Sequence, residues 1–176
     1  ISQFDDLLKK NFTNNHLILF GINTVNKNSG EIFNSMVVVN NELKILHKYD
    51  KIKLVPFGEF LPFEFFLAKI GLKKITEGHG SFTKGKVQKN IAFNNINFLP
   101  LICYEIIFPE LIQKSTNKTN LIINISEDAW FGDSIGPKQH FAKAIFRSIE
   151  SNSYLLRSAN KGITAIINNK GEIVKK

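Results

Sequence analysis

The stretch INFLPLICYEIIFPEL, residues 96–111, decides how this chain folds and contains its only cysteine, Cys103. The apolar run before the cysteine has the length and the composition of a buried strand. Cys-Tyr-Glu follows, and the apolar residues after it predict a helix over residues 105–114. The sequence therefore predicts a single thiol at the junction between a strand and a helix.

Two interpretations of Cys103 follow from the residues alone. A lone cysteine beside a Leu-Ile run is usually an inert core residue, because free cysteine is among the most buried residue types. A tight turn at a strand end can instead expose the thiol, and a helix N-terminus favours its thiolate. Tyr104 and Glu105 also interrupt an otherwise apolar segment, which a core strand would not need.

Hydrophobic periodicity on both sides of this stretch predicts a layered α/β domain. Helices that follow central strands favour a sheet with helices packed on one face. Residues 56–85 lack a regular period, and long loops of this kind are uncommon unless they are functional. The pattern predicts helices over residues 1–12 and 137–153, and strands over residues 16–23, 34–40, 42–49, 89–95, 120–126, 153–159 and 162–168.

The composition suits one domain with a substantial core. The chain has 176 residues, of which 43% are hydrophobic and 22% are charged. One cysteine cannot form an internal disulfide, and four scattered histidines without a second thiol give no zinc pattern. We therefore expect no metal and no cofactor. No apolar run approaches the ~18 residues of a membrane-spanning helix.

The charge argues against a nucleic-acid partner. The net charge is +8, but only two of the 23 basic residues, Arg147 and Arg157, are arginines. Base-reading surfaces favour arginine, so we expect no nucleic acid to bind. A lysine-rich surface is compatible either with simple solvation or with a position facing anionic lipid head groups.

Two charged residues lie in HKYDKIKLVPFGEF, residues 47–60. Lys51 is either an exposed lysine at a strand end or a cation held against the apolar residues that follow it. In the second case it can donate to a developing oxyanion. Glu59 follows a Pro-Phe-Gly turn and is either a turn carboxylate in water or part of a site.

Trp130 and Phe131 lie in EDAWFGDSIGP, residues 127–137. A single tryptophan is more often a core residue than a ligand contact. Adjacent aromatics in a glycine loop flanked by Asp128 and Asp133 indicate a surface position instead, because loops run over the surface.

Three segments together resemble the catalytic domain of the apolipoprotein N-acyltransferase family, in the nitrilase (carbon–nitrogen hydrolase) superfamily. They are YDKIKLVPFGEFLPFE, ICYEIIFPEL, and NISEDAWFGDSIGPKQHF with RSANKGITAII. Cys-Tyr-Glu with Phe-Pro-Glu indicates the superfamily, and the VPFGE and DAWFGDSIGP loops indicate the acyltransferase branch. The resemblance covers nearly the whole chain and implies an α/β fold, a four-layer α-β-β-α sandwich.

The resemblance implies a Glu–Lys–Cys triad with Cys103 as the nucleophile and Lys51 at the oxyanion. Cys103 would take an acyl chain from a phospholipid as a thioester and pass it to the N-terminal amine of a diacylglyceryl lipoprotein. Lys51→Ala would then stop thioester formation at little cost in stability. The resemblance assigns supporting places in the active site to Glu59, Tyr104 and Glu105, and places in the lipid-facing pocket to Trp130 and Phe131.

The chain also departs from the family pattern. The triad glutamate belongs to a Pro-Glu motif upstream of Lys51, and no such motif precedes Lys51 here. We therefore expect residues 1–176 to be a partial domain, incomplete at both ends, whose triad glutamate and flanking membrane helices lie outside it. The implied location is the periplasmic face of a bacterial inner membrane. Lys53, Glu127 and Lys161 stand where a histidine and two asparagines are usual.

Two other hypotheses remain open on the sequence. A soluble amidase or nitrilase of the same superfamily would share the Cys-Tyr-Glu motif. A catalytically inactive remnant would explain why the triad glutamate is missing. The two aromatic, glycine-bearing loops at residues 55–59 and 128–137 favour the acyltransferase.

Overall fold

The computed structural model describes residues 5–62, 81–113 and 119–176. Predictions for residues 1–4, 63–80 and 114–118 lie outside this part of the chain. Its elements in chain order are α1 Asp5–Asn11, β1 Ile18–Val25, β2 Ile32–Val39, β3 Ile45–Asp50, β4 Ile91–Phe93, β5 Ile96–Ile102, a first 3-10 helix Cys103–Ile107, α2 Glu110–Gln113, β6 Leu121–Glu127, a second 3-10 helix Asp128–Phe131, α3 Gly136–Glu150, β7 Tyr154–Asn160, β8 Ala165–Ile167 and β9 Ile173–Lys175.

The described strands form two sheets. One sheet has the order β1-β2-β3 and is antiparallel throughout. The other has the order β4-β5-β6-β7-β8-β9, and its central strands β5, β6 and β7 are parallel. The register pairs Ile102 with Ile125 and Glu127 with Asn160. The carboxyl ends of the three parallel strands therefore meet at one edge of the sheet, and Cys103 directly follows the first of them.

The two sheets stack face to face, and α3 covers the outer face of the larger sheet. Met36 and Val38 of β2 are 0% exposed, and they pack into clusters with residues of β5. On the outer face, Phe141 and Ala144 of α3 join a core cluster with Leu99, Leu101, Ile122, Leu155, Ala165 and Ile167 of the sheet. The layered α/β class predicted from the sequence is confirmed.

The helix predicted over residues 105–114 takes a different form. The chain makes a 3-10 helix as far as Ile107, is extended at Phe108 and begins α2 only at Glu110. Pro109 explains the break, since proline disfavours a helical conformation in the residue before it and has no N–H to donate. The predicted hairpin of β4 and β5 is confirmed, whereas β9 was not predicted.

Among the helices of the described residues, none combines the length and the apolar composition that crossing a membrane requires.

Candidate active site

Cys103 lies at a tight turn where β5 ends. Its backbone has φ +49°, a left-handed conformation that residues other than glycine adopt rarely and at some cost. Its side chain is half-buried, and Sγ lies 3.8 Å from the carbonyl oxygen of Glu127 at the end of the neighbouring strand. The side chain is therefore at the sheet edge rather than deep in the core, which favours the turn interpretation of this cysteine.

Glu105 ties this turn to the segment that follows β3. The side chain is 0% exposed. Its Oε2 accepts the N–H of Ile102 at 2.8 Å, and its Oε1 accepts the N–H groups of Ile52 at 2.7 Å and Lys53 at 3.0 Å. The Tyr49 hydroxyl donates to the same Oε1 at 2.8 Å. One carboxylate thus holds the Cys103 turn and the two residues after Lys51 in a fixed relation.

Burial has the largest effect on the pKa values of Glu105 and Tyr49. It raises the pKa of the Glu105 carboxyl, while the N–H donors of Ile102, Lys53 and Ile52 and the Tyr49 hydroxyl act in the opposite direction. Burial, and then the Glu105 charge, raises the pKa of Tyr49. Tyr49 therefore stays protonated and remains a hydrogen-bond donor to Glu105.

Lys51 forms a buried ion pair with Glu59. The lysine is 1% exposed, and its Nζ lies 2.9 Å from Oε1 and 2.8 Å from Oε2 of Glu59. Asn34 Nδ2 donates to Oε1 at 2.7 Å, and the N–H of Val55 donates to Oε2 at 2.8 Å. Neither residue is the solvated surface group that the sequence left open. Lys51 is a cation fixed in the interior, directly before the segment that Glu105 anchors.

The three aromatic candidates lie around the turn but not in the ion-pair cluster. Tyr104 is half-buried and meets Phe108 edge-to-face, with ring centroids 5.0 Å apart. Trp130 is 62% exposed and Phe131 is 38% exposed, on the second 3-10 helix directly after Glu127. The tryptophan is therefore a surface residue, as the glycine loop indicated, on the helix that follows the Glu127 carbonyl contacted by the thiol.

The structure adds a buried polar network that the sequence analysis did not identify. His140 of α3 places Nε2 3.2 Å from the carbonyl oxygen of Cys103 and Nδ1 2.9 Å from Asp128 Oδ1. Arg157 of β7 donates to both Asp128 oxygens, at 3.0 and 2.8 Å, and also to Asn124. The signal was present in the sequence: Asn124 and Arg157 interrupt apolar strands, and the register pairs them.

The charges in this network can be assigned. Burial acts to raise the pKa of Asp128, but the Ser126 hydroxyl and the Arg157 guanidinium outweigh it and hold that pKa below its ordinary value. Burial, and then the Arg157 charge, lowers the pKa of His140 more than Asp128 raises it. The Cys103 carbonyl only accepts, so the single proton of the neutral imidazole is on Nε2, and Nδ1 accepts from Arg157 Nη2 at 3.1 Å. Asp128 and Arg157 are thus an ion pair beside a neutral histidine.

The family model of the carbon–nitrogen hydrolases matches residues 4–176. The chain is 44% identical over 142 residues to the apolipoprotein N-acyltransferase of Brucella suis biovar 1 (strain 1330), covering 80% of this chain and 27% of that protein. It is 43% identical over 143 residues to the protein of that name from Rhodopseudomonas palustris, covering 81% and 27%. The chain thus spans about a quarter of the length of these curated relatives.

Solved structures of the nitrilase superfamily share the fold. An amidase from Nesterenkonia AN1 superposes with a TM-score of 0.67 at 13% identity, covering 98% of this chain and 61% of that one. Saccharomyces cerevisiae Nit3 gives 0.65 at 20% identity, covering 88% and 52%. The nitrilase-like fold that the motifs implied is confirmed.

Proposed function

The chain belongs to the carbon–nitrogen hydrolase family, and on that premise we propose that it is the catalytic part of an apolipoprotein N-acyltransferase. Curated relatives of that name, 38–44% identical over about four fifths of the chain, support this choice within the family. The structural observation that carries the proposal is the Cys103 turn, which Glu105 ties to the segment after the buried Lys51.

The proposed reaction has two steps through Cys103. Its thiolate forms an S–C bond to the ester carbonyl of a phospholipid, the ester C–O bond breaks, and the lyso-lipid alcohol leaves with the proton of the thiol. The α-amine of a diacylglyceryl lipoprotein then forms an N–C bond, the S–C bond breaks, and the thiol regains a proton that the amine loses. Thioesters react readily with amines, so the intermediate suits N-acylation.

Lys51 is the proposed donor to the oxyanion in both steps. Its ammonium is held by Glu59, so its position is fixed before substrate arrives, and a preorganised cation in a dry site stabilises developing negative charge strongly. Glu59 thereby supports the active site by positioning Lys51, and Glu105 supports it by holding the turn.

The general base is proposed to be a glutamate outside these 176 residues. Glu59 uses both oxygens for Lys51, Asn34 and Val55, and Glu105 uses both for the donors described above. In the described part of the chain, no hydrogen bond joins a carboxylate to the Cys103 thiol, whose hydrogen-bond acceptor is the Glu127 carbonyl.

The proposed substrates place this surface at a lipid bilayer. Trp130 and Phe131 expose aromatic area beside the thiol, and such rings favour the membrane–water interface. We propose that they contact the acyl chain, with Tyr104 at the rim of the same pocket. The phospholipid donor, the lipoprotein acceptor and a periplasmic location at the inner membrane all belong to this proposal.

A test compares two reactions of the purified full-length protein. One assay offers phospholipid vesicles with a synthetic diacylglyceryl lipopeptide, and the other offers short aliphatic amides. We expect the lipopeptide to gain an amide-linked acyl chain, with no ammonia released from the amides. Ammonia release without acyl transfer would identify a soluble-type amidase. If the protein shows neither acyl transfer nor ammonia release, it is a catalytically inactive relative.

A further inference from the structure

A buried charged cluster lies behind the nucleophile and takes no part in the chemistry described above. It comprises Asp128, His140 and Arg157, which are 0%, 4% and 2% exposed. Replacing a buried ion pair with apolar side chains of similar volume is often neutral or stabilising. Stability alone therefore gives little reason to bury this set.

The cluster reaches the turn through one hydrogen bond. His140 Nε2 donates to the carbonyl oxygen of Cys103 at 3.2 Å. That carbonyl belongs to the residue whose φ of +49° sets the direction of the thiol. A strained backbone conformation persists only when its surroundings hold it, and the imidazole is one of the groups that hold it.

The same imidazole also contacts the aromatic loop, by which we mean the second 3-10 helix with Trp130 and Phe131. Asp128, the first residue of the second 3-10 helix, is joined to His140 Nδ1 through Arg157 Nη2, which donates to both. Phe131, the last residue of that helix, packs its ring against the imidazole with centroids 5.5 Å apart. Gly162 packs directly against Asp128, since a Cβ added at position 162 would come within 2.3 Å of Asp128 Oδ2. The loop is thus held to His140 at both ends.

We propose that His140 is a positioning residue that fixes the Cys103 turn and the Trp130–Phe131 loop relative to each other. Asp128 and Arg157 hold the imidazole in the orientation that does this. The consequence for acyl transfer rests on the proposed function: a thiol that attacks an ester must lie at a set angle to the bound acyl chain. A misplacement of about 1 Å can cost roughly 10²-fold in rate.

The test uses two substitutions in the full-length protein. His140→Leu removes both polar contacts, and His140→Gln keeps an amide N–H close to the position of Nε2. Acylation of Cys103 by a p-nitrophenyl ester should fall about 10²-fold in His140→Leu, because attack on a carbonyl needs orientation. Alkylation by iodoacetamide needs an exposed thiolate but little orientation, so its rate should change far less. His140→Gln should restore most of the acylation.

Trp130 gives a second readout that needs no acyl chemistry. It is the only tryptophan of these 176 residues, so once any tryptophan outside them is replaced by phenylalanine, iodide quenching of its fluorescence reports on the loop. We expect quenching in His140→Leu to rise towards that of free tryptophan and His140→Gln to stay near the wild type. All measurements are made well below each variant's unfolding temperature.

Arg147→Gln is the matched control. Arg147 lies on the same helix, is 6% exposed and pairs with Glu150. The Arg147→Gln substitution should lower the unfolding temperature without changing Cys103 acylation or Trp130 quenching. If His140→Leu alters neither readout more than Arg147→Gln does, His140 is only a core residue and the proposal is wrong. If the wild type is not acylated at all, the proposed function fails, and Trp130 quenching alone decides the role of His140.

Discussion

Lys51 and Glu59 form an ion pair that has left water almost completely. Attraction between the two charges, with the donors from Asn34 and Val55, offsets the cost of removing both charges from solvent. A sequence cannot show this, because an unpaired lysine at a strand end and a buried one have the same local pattern. The expectation of a small stability cost on removing Lys51 therefore does not hold for a side chain that is 1% exposed.

Lys51→Met should reduce both stability and acylation. It leaves the largely buried Glu59 without its cation, which costs roughly 3–5 kcal/mol, and it removes the proposed oxyanion donor, which costs roughly 10²–10³ in rate. Urea denaturation and the p-nitrophenyl ester assay measure the two effects.

Lys51→Met/Glu59→Gln is the control, since it leaves no unpaired charge. It should regain part of the stability and none of the acylation. A Lys51→Met protein with near-normal stability and acylation would show that the ion pair neither stabilises the fold nor supports acylation.

At the scale of elements, three segments distant in the chain meet behind the thiol: the turn after β5, the 3-10 helix after β6, and α3. Apolar periodicity predicted β1 to β8 and α3, and the Cys-Tyr-Glu pattern predicted the turn. Neither pattern could predict that His140 faces Cys103, since that contact spans 37 positions and depends on how α3 crosses the sheet.

The depressed pKa of His140 predicts a stability loss on acidification. As pH falls through the ordinary histidine value of 6.5, the unfolded chain takes up a proton that the folded protein does not. Stability is therefore lost as pH falls from about 7.5 to about 5.5. The raised pKa of Glu105 acts in the opposite direction, so the comparison must be made between variants.

His140→Gln should show a smaller loss than the wild type over this range, as measured by urea midpoints at each pH. His47→Gln, which changes an exposed histidine on β3, should leave the loss unchanged. Equal pH dependence in the wild type and His140→Gln would mean that His140 takes up protons equally in the folded and unfolded states.

At the scale of the molecule, the parallel strands gather the candidate chemistry at one edge. Cys103, the Glu127 carbonyl, the aromatic loop and the His140 network all lie where β5, β6 and β7 end. The layered class could be predicted because strand and helix patterns alternate. Periodicity could not predict that the strands divide into two sheets, because it identifies a buried face without identifying what covers it; only the motif resemblance implied the sandwich. β9 escaped prediction because it is three exposed residues long.

This arrangement predicts that the Cys103 edge approaches the bilayer. Adding anionic or zwitterionic vesicles to a full-length protein in which any tryptophan outside residues 1–176 is replaced by phenylalanine should shift the emission of Trp130 to the blue, since interfacial tryptophan leaves water. The control moves the reporter to the opposite edge with Trp130→Phe and Tyr154→Trp, because Tyr154 begins β7 and is 50% exposed. That protein should show no shift. Equal shifts in both proteins, or none in either, would exclude a lipid-facing role for the aromatic loop.

The mass of the full-length protein after incubation with phospholipid alone shows most directly whether the Cys103 thiol carries the acyl group. Without an amine acceptor, the intact protein should gain one acyl chain, hydroxylamine should remove it because it is a thioester, and peptide mapping should locate it on Cys103. Cys103→Ala should gain nothing. An adduct that persists in Cys103→Ala, or one that hydroxylamine does not release, would contradict the claim that this thiol carries the acyl group.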